Sequence, residues 1–237
     1  MTDRALQRLG AATGLVFVLS SVLSAFVYPQ QPRVDSPPAT TLAWVHNHRV
    51  ALQTGMVIGL FSAALLVWFV AHLRDQVERA GDGGGLAPVV FGSGIAMAAV
   101  TALSAMPIAL LAFMDAQRGG LQDLSVVRML GDLNIVLFAA SSAMTAVFVF
   151  ALGLSILRAR WVAPWVGSLS LVVAACNAVS VWTSVTFSTY HGKAWGAVGW
   201  GAYVGLLVVI AIVGGLLVAG RRDTPAVSPA MAMSGTR

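Results

Sequence analysis

Charge is scarce in this chain. Asp, Glu, Lys and Arg make up 10% of its 237 residues, where an ordinary soluble domain carries about 25%. With 58% of the residues hydrophobic, a water-soluble fold of this size would lack the polar side chains to cover its surface, which excludes a soluble enzyme. Cysteine is scarcer still. Cys176 stands alone, so neither an intrachain disulfide nor a thiolate-held zinc or iron–sulfur centre can form. The phosphate loop Gly-x-x-x-x-Gly-Lys-Ser/Thr is missing, and with it nucleotide-driven work by this chain itself. His-Glu-x-x-His and Gly-x-Ser-x-Gly are missing too, which speaks against the corresponding proteases and esterases. No lysine falls within an apolar run, which excludes a retinal-type Schiff base. No charged residue falls near the middle of one, where ion-coupled carriers usually need one.

What the chain does have is long apolar runs. Six, at 9–28, 50–71, 83–114, 133–157, 161–190 and 194–220, are free of charge for the roughly 20 residues that cross hydrocarbon. They place spans at about 9–28, 50–71, 88–113, 130–157, 162–187 and 195–219. The reading is an all-α, six-helix transmembrane bundle over 1–220, followed by a disordered cytoplasmic tail at 221–237. The third and fifth runs exceed the need, which predicts tilt or an interfacial turn, and Pro107 would kink the third or mark its exit. Residues 29–49, with Pro32, Pro37 and Pro38, read as an irregular outer loop; 74–85, ending Gly83-Gly84-Gly85, reads as a flexible linker. No extramembrane domain is expected in these connections.

The net charge of +5 reflects basic residues at the ends of the runs, not a nucleic-acid surface, and no nucleic-acid partner is expected. With both termini cytoplasmic, nine basic residues lie inside (Arg4, Arg8, Arg74, Arg79, Arg158, Arg160, Arg221, Arg222, Arg237) and five outside (Arg33, Arg49, Arg118, Arg128, Lys193). The positive-inside rule favours that orientation. Two inner turns look alike: Leu73-Arg74 leads to Ala87-Pro88 and Gly92-Ser93, and Leu157-Arg158 to Ala163-Pro164 and Gly167-Ser168. An internal repeat of helices 2–3 and 4–5 would explain the match, as would the fitness of proline for a first helical turn.

Helix association in lipid relies on close backbone approach and polar contacts. Small residues four apart form strips in helix two (Gly55, Gly59, Ala63) and helix six (Ala197, Gly201, Gly205; Ala211, Gly215, Ala219). Polar stripes follow helical spacing in helix four (Asn134, Ser141, Thr145) and helix five (Ser170, Asn177, Ser180, Ser184). Both stripes should face inward, because an unpartnered amide in hydrocarbon is costly. They serve interhelical hydrogen bonds, or they line a polar cavity between helices four and five. Asn134, Ser141, Thr145, Asn177, Ser180 and Ser184 are then the candidate ligand-binding residues.

Acidic residues gather at the outer end of the third hairpin, where Asp115/Arg118 and Arg128/Asp132 have spacings that allow pairing on one helix face. With helix four starting near Val126, Asp132 lies one to two turns inside it, either as an intramembrane carboxylate with a function or as a headgroup-level anchor paired with Arg128. His46, His48 and His191 fall on the same side. With Asp115 or Asp132 they have the residue types of a surface metal site, although interfacial histidines ordinarily bond water or headgroups. No metal and no cofactor are expected, and no span carries a histidine near its middle for a haem.

Arg-x-x-x-Arg-Leu-Gly from Arg4 to Gly10, an outer loop before helix two, and the Leu-Arg…Ala-Pro…Gly inner turns together resemble uncharacterised bacterial six-span integral membrane proteins. The resemblance covers most of 1–220 and implies a multi-pass fold in a bacterial plasma membrane, with no activity to carry over. The leading expectation is a non-enzymatic bundle that binds or passes a small, partly lipophilic molecule, or serves as a membrane subunit of a larger complex. Its partners would be membrane lipids, a second copy or another membrane protein. The alternative is a membrane-embedded enzyme acting on a lipid-like substrate at the outer leaflet, with Asp115, Asp132, His48 and His191 as its acid/base or metal groups.

Overall fold

A computed structural model describes residues 3–32, 36–81, 85–117, 123–186 and 193–219. It is all-helical: α1 Asp3–Val27, α2 Pro38–Arg79, α3 Leu86–Gln117, α4 Leu124–Ala159, α5 Pro164–Thr186 and α6 Lys193–Val218. There is no strand among the described residues, and all six helices are long and apolar enough to cross a membrane. Each packs on the next, α6 closes back onto α1, and α2 also reaches α4. The result is a ring of helices around Phe69, Phe148, Leu152, Ile156 and Val166, all fully buried. The outside is equally apolar: Phe26 is 85% exposed and Phe61 69%. Water would not tolerate that outer surface, whereas lipid tails do. The chain is an integral, multi-pass membrane protein.

Two ends can be distinguished. The termini end holds the start of α1, the end of α6 and the α2–α3 and α4–α5 turns; the far end holds the other three connections. The proline-rich stretch expected as irregular loop is largely helix. Pro37 (φ −54°, ψ 140°) precedes α2 and Pro38 occupies its first turn, where a missing N–H is no loss. A break follows at His48 (φ −118°, ψ 16°). At the other end α2 runs through the expected linker to Arg79, helped by Arg74 Nε donating to Glu78 Oε1 at 2.8 Å. At about 1.5 Å per residue, its 42 residues extend roughly 63 Å, twice the hydrocarbon thickness. The surplus of α2, α3 and α4 builds a separate apolar cluster at the far end, with Val45, Leu52, Ile108, Leu111, Ala112, Val127 and Leu130 at its centre. The lengthened helices thus supply structure outside the apolar runs.

Pro107 lies inside α3 and does not end it. Its ring removes the donor for the carbonyl four residues back. One residue along, Asn134 Nδ2 of α4 donates to the Ser104 carbonyl at 2.6 Å, a neighbouring-helix repair of the kind that lets proline persist in a span. The two turns expected to match differ in detail. The α4–α5 turn is tight, with Arg160 left-handed (φ 51°) and its N–H bonded to Ile156 O. The α2–α3 turn uses Gly81 (φ 77°) and Gly85 (φ 73°).

The small-residue strips are only partly used. A Cβ on Gly205 would meet Val173 at 2.9 Å and one on Gly55 would meet Tyr28 at 3.1 Å, whereas Gly59, Gly201 and Gly215 have nothing within 4 Å. The tightest backbone approach is between α4 and α5, where a Cβ on Gly153 would lie 2.9 Å from Gly167 O. On α1, Gly10 and Gly14 sit against His72 and Phe69 of α2.

Candidate binding sites at the two ends of the bundle

The polar stripes of α4 and α5 turn to different neighbours. From α4, Asn134 reaches Ser104, Ser141 Oγ bonds Thr101 Oγ1 at 2.6 Å, and Thr145 Oγ1 donates to Ser141 O at 2.9 Å. The first two tie α4 to α3, and the third stays within α4. From α5, Asn177 Nδ2 donates to Val173 O (2.9 Å) and to Ala202 O of α6 (3.4 Å). Ser180 is buried and its carbonyl accepts from Thr183; Ser184 Oγ is buried with no hydrogen-bond partner among the described residues. Ser20–Ser62 (2.7 Å) joins α1 to α2, and Tyr203–Ser21 joins α6 to α1. The interhelical bonds among these contribute of order 1 kcal/mol each, and the rest return to a carbonyl of their own helix.

The four acid/base candidates are not gathered. Asp115, its side chain only 4% exposed, pairs with His46 Nδ1 at 3.1 Å. His48 is not its partner; it bonds the Trp44 carbonyl one turn back at 2.8 Å. Asp132 is exposed and 4.0 Å from Arg128, which is the geometry of the anchor reading. His191 lies outside the described residues. No group of three or more His, Cys, Asp or Glu able to hold a metal ion occurs among the described residues. Beside these, Asp123 caps α4: the Ser125 N–H and Oγ–H both donate to its Oδ1, at 2.9 and 2.6 Å. Those bonds favour the ionised form and hold its carboxyl below the usual range.

Two cavities lie at opposite ends. The larger, about 660 Å³, is an open groove at the termini end between α1, α2 and α3. Its wall changes character along its length: Trp68, Ala71 and Phe91 are apolar or aromatic, and Gln7, His72, Arg74, Asp75 and Arg79 are polar. Gly10 shapes it, since a Cβ there would stand 2.8 Å from the His72 ring. His72 is buried, with Nε2 3.4 Å from Gln76 Nε2. The Arg74 guanidinium lies 5.4 Å above the Phe91 ring, an orientation favoured by the ring quadrupole. Arg74 and Arg79 face the Asp75 carboxylate in this lining, and the Glu78 carboxylate accepts from Arg74 Nε at 2.8 Å beside it.

The smaller cavity, about 70 Å³, is at the far end under the start of α2 and brings together Asp132 and Asn134 with Arg128, Thr41 and Trp44. The indole N–H of Trp44 is shut from solvent and has no partner among the described residues. Sequence reasoning singled out Asp132 and Asn134 but missed Trp44 as their neighbour, and it missed the groove altogether. The available signal was Gly10 and Gly14, four residues apart on α1, which mark a close face opposite α2. No protein-family model, curated protein or solved structure matches the chain.

Proposed function

We propose that this is a non-enzymatic multi-pass protein of a bacterial plasma membrane, both termini cytoplasmic, that binds a small, partly lipophilic molecule in the groove of α1, α2 and α3. The orientation rests on the nine-to-five distribution of basic residues. The observation that carries the binding reading is the graded wall of the groove. Its volume of about 660 Å³ suits a ligand of ordinary size, since such sites run to about 300–1,000 Å³. The aromatic stretch at Trp68 and Phe91 would take an apolar tail, and Arg74 and Arg79 a negatively charged head. Because Asn134, Ser141 and Asn177 bond neighbouring helices and Thr145 and Ser170 bond their own, these stripes serve packing in this reading.

A non-enzymatic role is supported by the dispersal of the acid/base candidates. Asp115 is taken by His46, Asp132 faces outward with Arg128, and His48 is spent on its own helix. General acid–base chemistry needs such groups within hydrogen-bond or one-water reach of a common substrate. The test is native mass spectrometry of the protein released from mild detergent. A retained amphiphile is expected on the wild type and not on the double variant Arg74→Gln/Arg79→Gln. Equal retention by both, or none by the wild type, would reject the groove as the site.

A further inference from the structure

We propose that the far-end cavity is a second binding site, for a small zwitterion of the α-amino-acid class, covered by residues 38–48 of α2. Its size sets the first limit. One water needs about 10–15 Å³ of such space, so about 70 Å³ holds roughly five or six heavy atoms, the size of glycine or alanine.

Its lining sets the chemistry. Arg128 and Asp132 both border the cavity, 4.0 Å apart and with side chains 73% and 62% exposed. An exposed pair at that distance is held weakly, so each partner is free to turn toward the opposite charge of a ligand. Trp44 brings a buried N–H that has no acceptor among the described residues, and a ligand carboxylate would supply one. Asn134 spends its Nδ2 on Ser104 O, which leaves its Oδ1 to accept from an ammonium. Val127 and Ile135 give an apolar wall for a short side chain. Carboxylate toward Trp44 and Arg128 with ammonium toward Asp132 and Asn134 satisfies all four groups at once; an anion or a cation alone satisfies two.

The cover is the first turns of α2. Residues 38–48 end at the helical break at His48 and are pinned to α3 by the His46–Asp115 pair, 3.1 Å long and with His46 largely exposed. The same segment is packed down by Val45, which is fully buried against Ile108, Leu111 and Leu130, so the cover stays closed over a bound molecule.

The test is titration calorimetry on the full chain in lipid nanodiscs, with glycine, alanine, acetate and methylammonium as probes. Glycine and alanine should bind, acetate and methylammonium about tenfold more weakly or worse. Asp132→Asn, on an exposed side chain, should weaken glycine by about tenfold, as should Trp44→Phe, which keeps a ring and removes only the N–H. Absence of glycine and alanine binding up to roughly 10 mM, equal affinity for acetate and glycine, or unchanged affinity in both Asp132→Asn and Trp44→Phe would overturn the proposal. The outcome is independent of the groove at the termini end.

Discussion

The two ends of the bundle are built from the same kind of helix and finished in opposite ways. At the far end the surplus of α2, α3 and α4 folds over itself, and Val45, Ile108, Leu111 and Leu130 close into an apolar cluster above a cavity of about 70 Å³. At the termini end the overhang of α2 stands beside α1 with its polar side chains bonded along their own helix, Arg74 to Glu78 at 2.8 Å, leaving a groove of about 660 Å³. The difference is chemical before it is geometrical. Residues 38–47 supply Leu42, Trp44 and Val45 for a core, whereas 74–79 supply Arg74, Asp75, Gln76, Glu78 and Arg79, which stay in contact with solvent and headgroups and do not close a core. Extra helix length therefore makes a lid where it carries apolar residues and a cleft where it carries charge.

Substitutions can break that contrast in graded steps. The largest effect is expected from Gly153→Leu, which strikes the α4–α5 seam of the bundle: a side chain there meets the Gly167 backbone, which cannot rotate away as a flexible side chain would. Overpacking of this kind costs about 1–3 kcal/mol, and more where backbone must move; thermal unfolding in detergent should drop for the whole bundle. Next comes His46→Ala, which leaves the buried Asp115 carboxylate without its partner. With His46 itself exposed, about 1–2 kcal/mol is expected. The loss should appear in hydrogen exchange as faster exchange at 38–48, with 72–79 unaltered. If both segments change together, the ends are not independent units.

Arg79→Gln tests the other end. It should weaken a negatively charged amphiphile about tenfold without shifting the ligand-free melting temperature, whereas an equal loss of stability would make Arg79 a structural residue. The smallest effect belongs to Asp123. Its carboxyl is held below the ordinary value by Ser125, so the cap stabilises α4 above the unfolded-state pKa and is lost as pH falls through the lower folded value. Exchange at the first turn of α4 should therefore quicken only in strong acid in the wild type, and already at neutral pH in Asp123→Ala.

The number and type of elements were legible because a charge-free run of span length admits little besides a membrane helix. Their ends were not. Pro37 and Pro38 signal a loop and a helix start equally well, and the start prevailed because Leu42, Trp44 and Val45 find a core on α3 and α4. Glycine spacing identified faces without identifying neighbours: Gly205 meets Val173 while Gly201, one turn away, meets nothing. The Arg128–Asp132 pair was readable from its four-residue spacing. His46–Asp115 spans 69 positions, and no local pattern distinguishes His46 from His48 as the partner. The groove takes its wall from three helices at once, and only packing assembles it.

The central claim is that the termini-end groove holds an amphiphile with its charged head among Arg74 and Arg79. Its most direct measurement is an electron cryo-microscopy map of the protein in nanodiscs made from the lipids of its own host. The account predicts elongated non-protein density running past Trp68 and Phe91 and ending at the two guanidinium groups. A groove closed by its own side chains, or showing only the featureless density of bulk solvent, would contradict it.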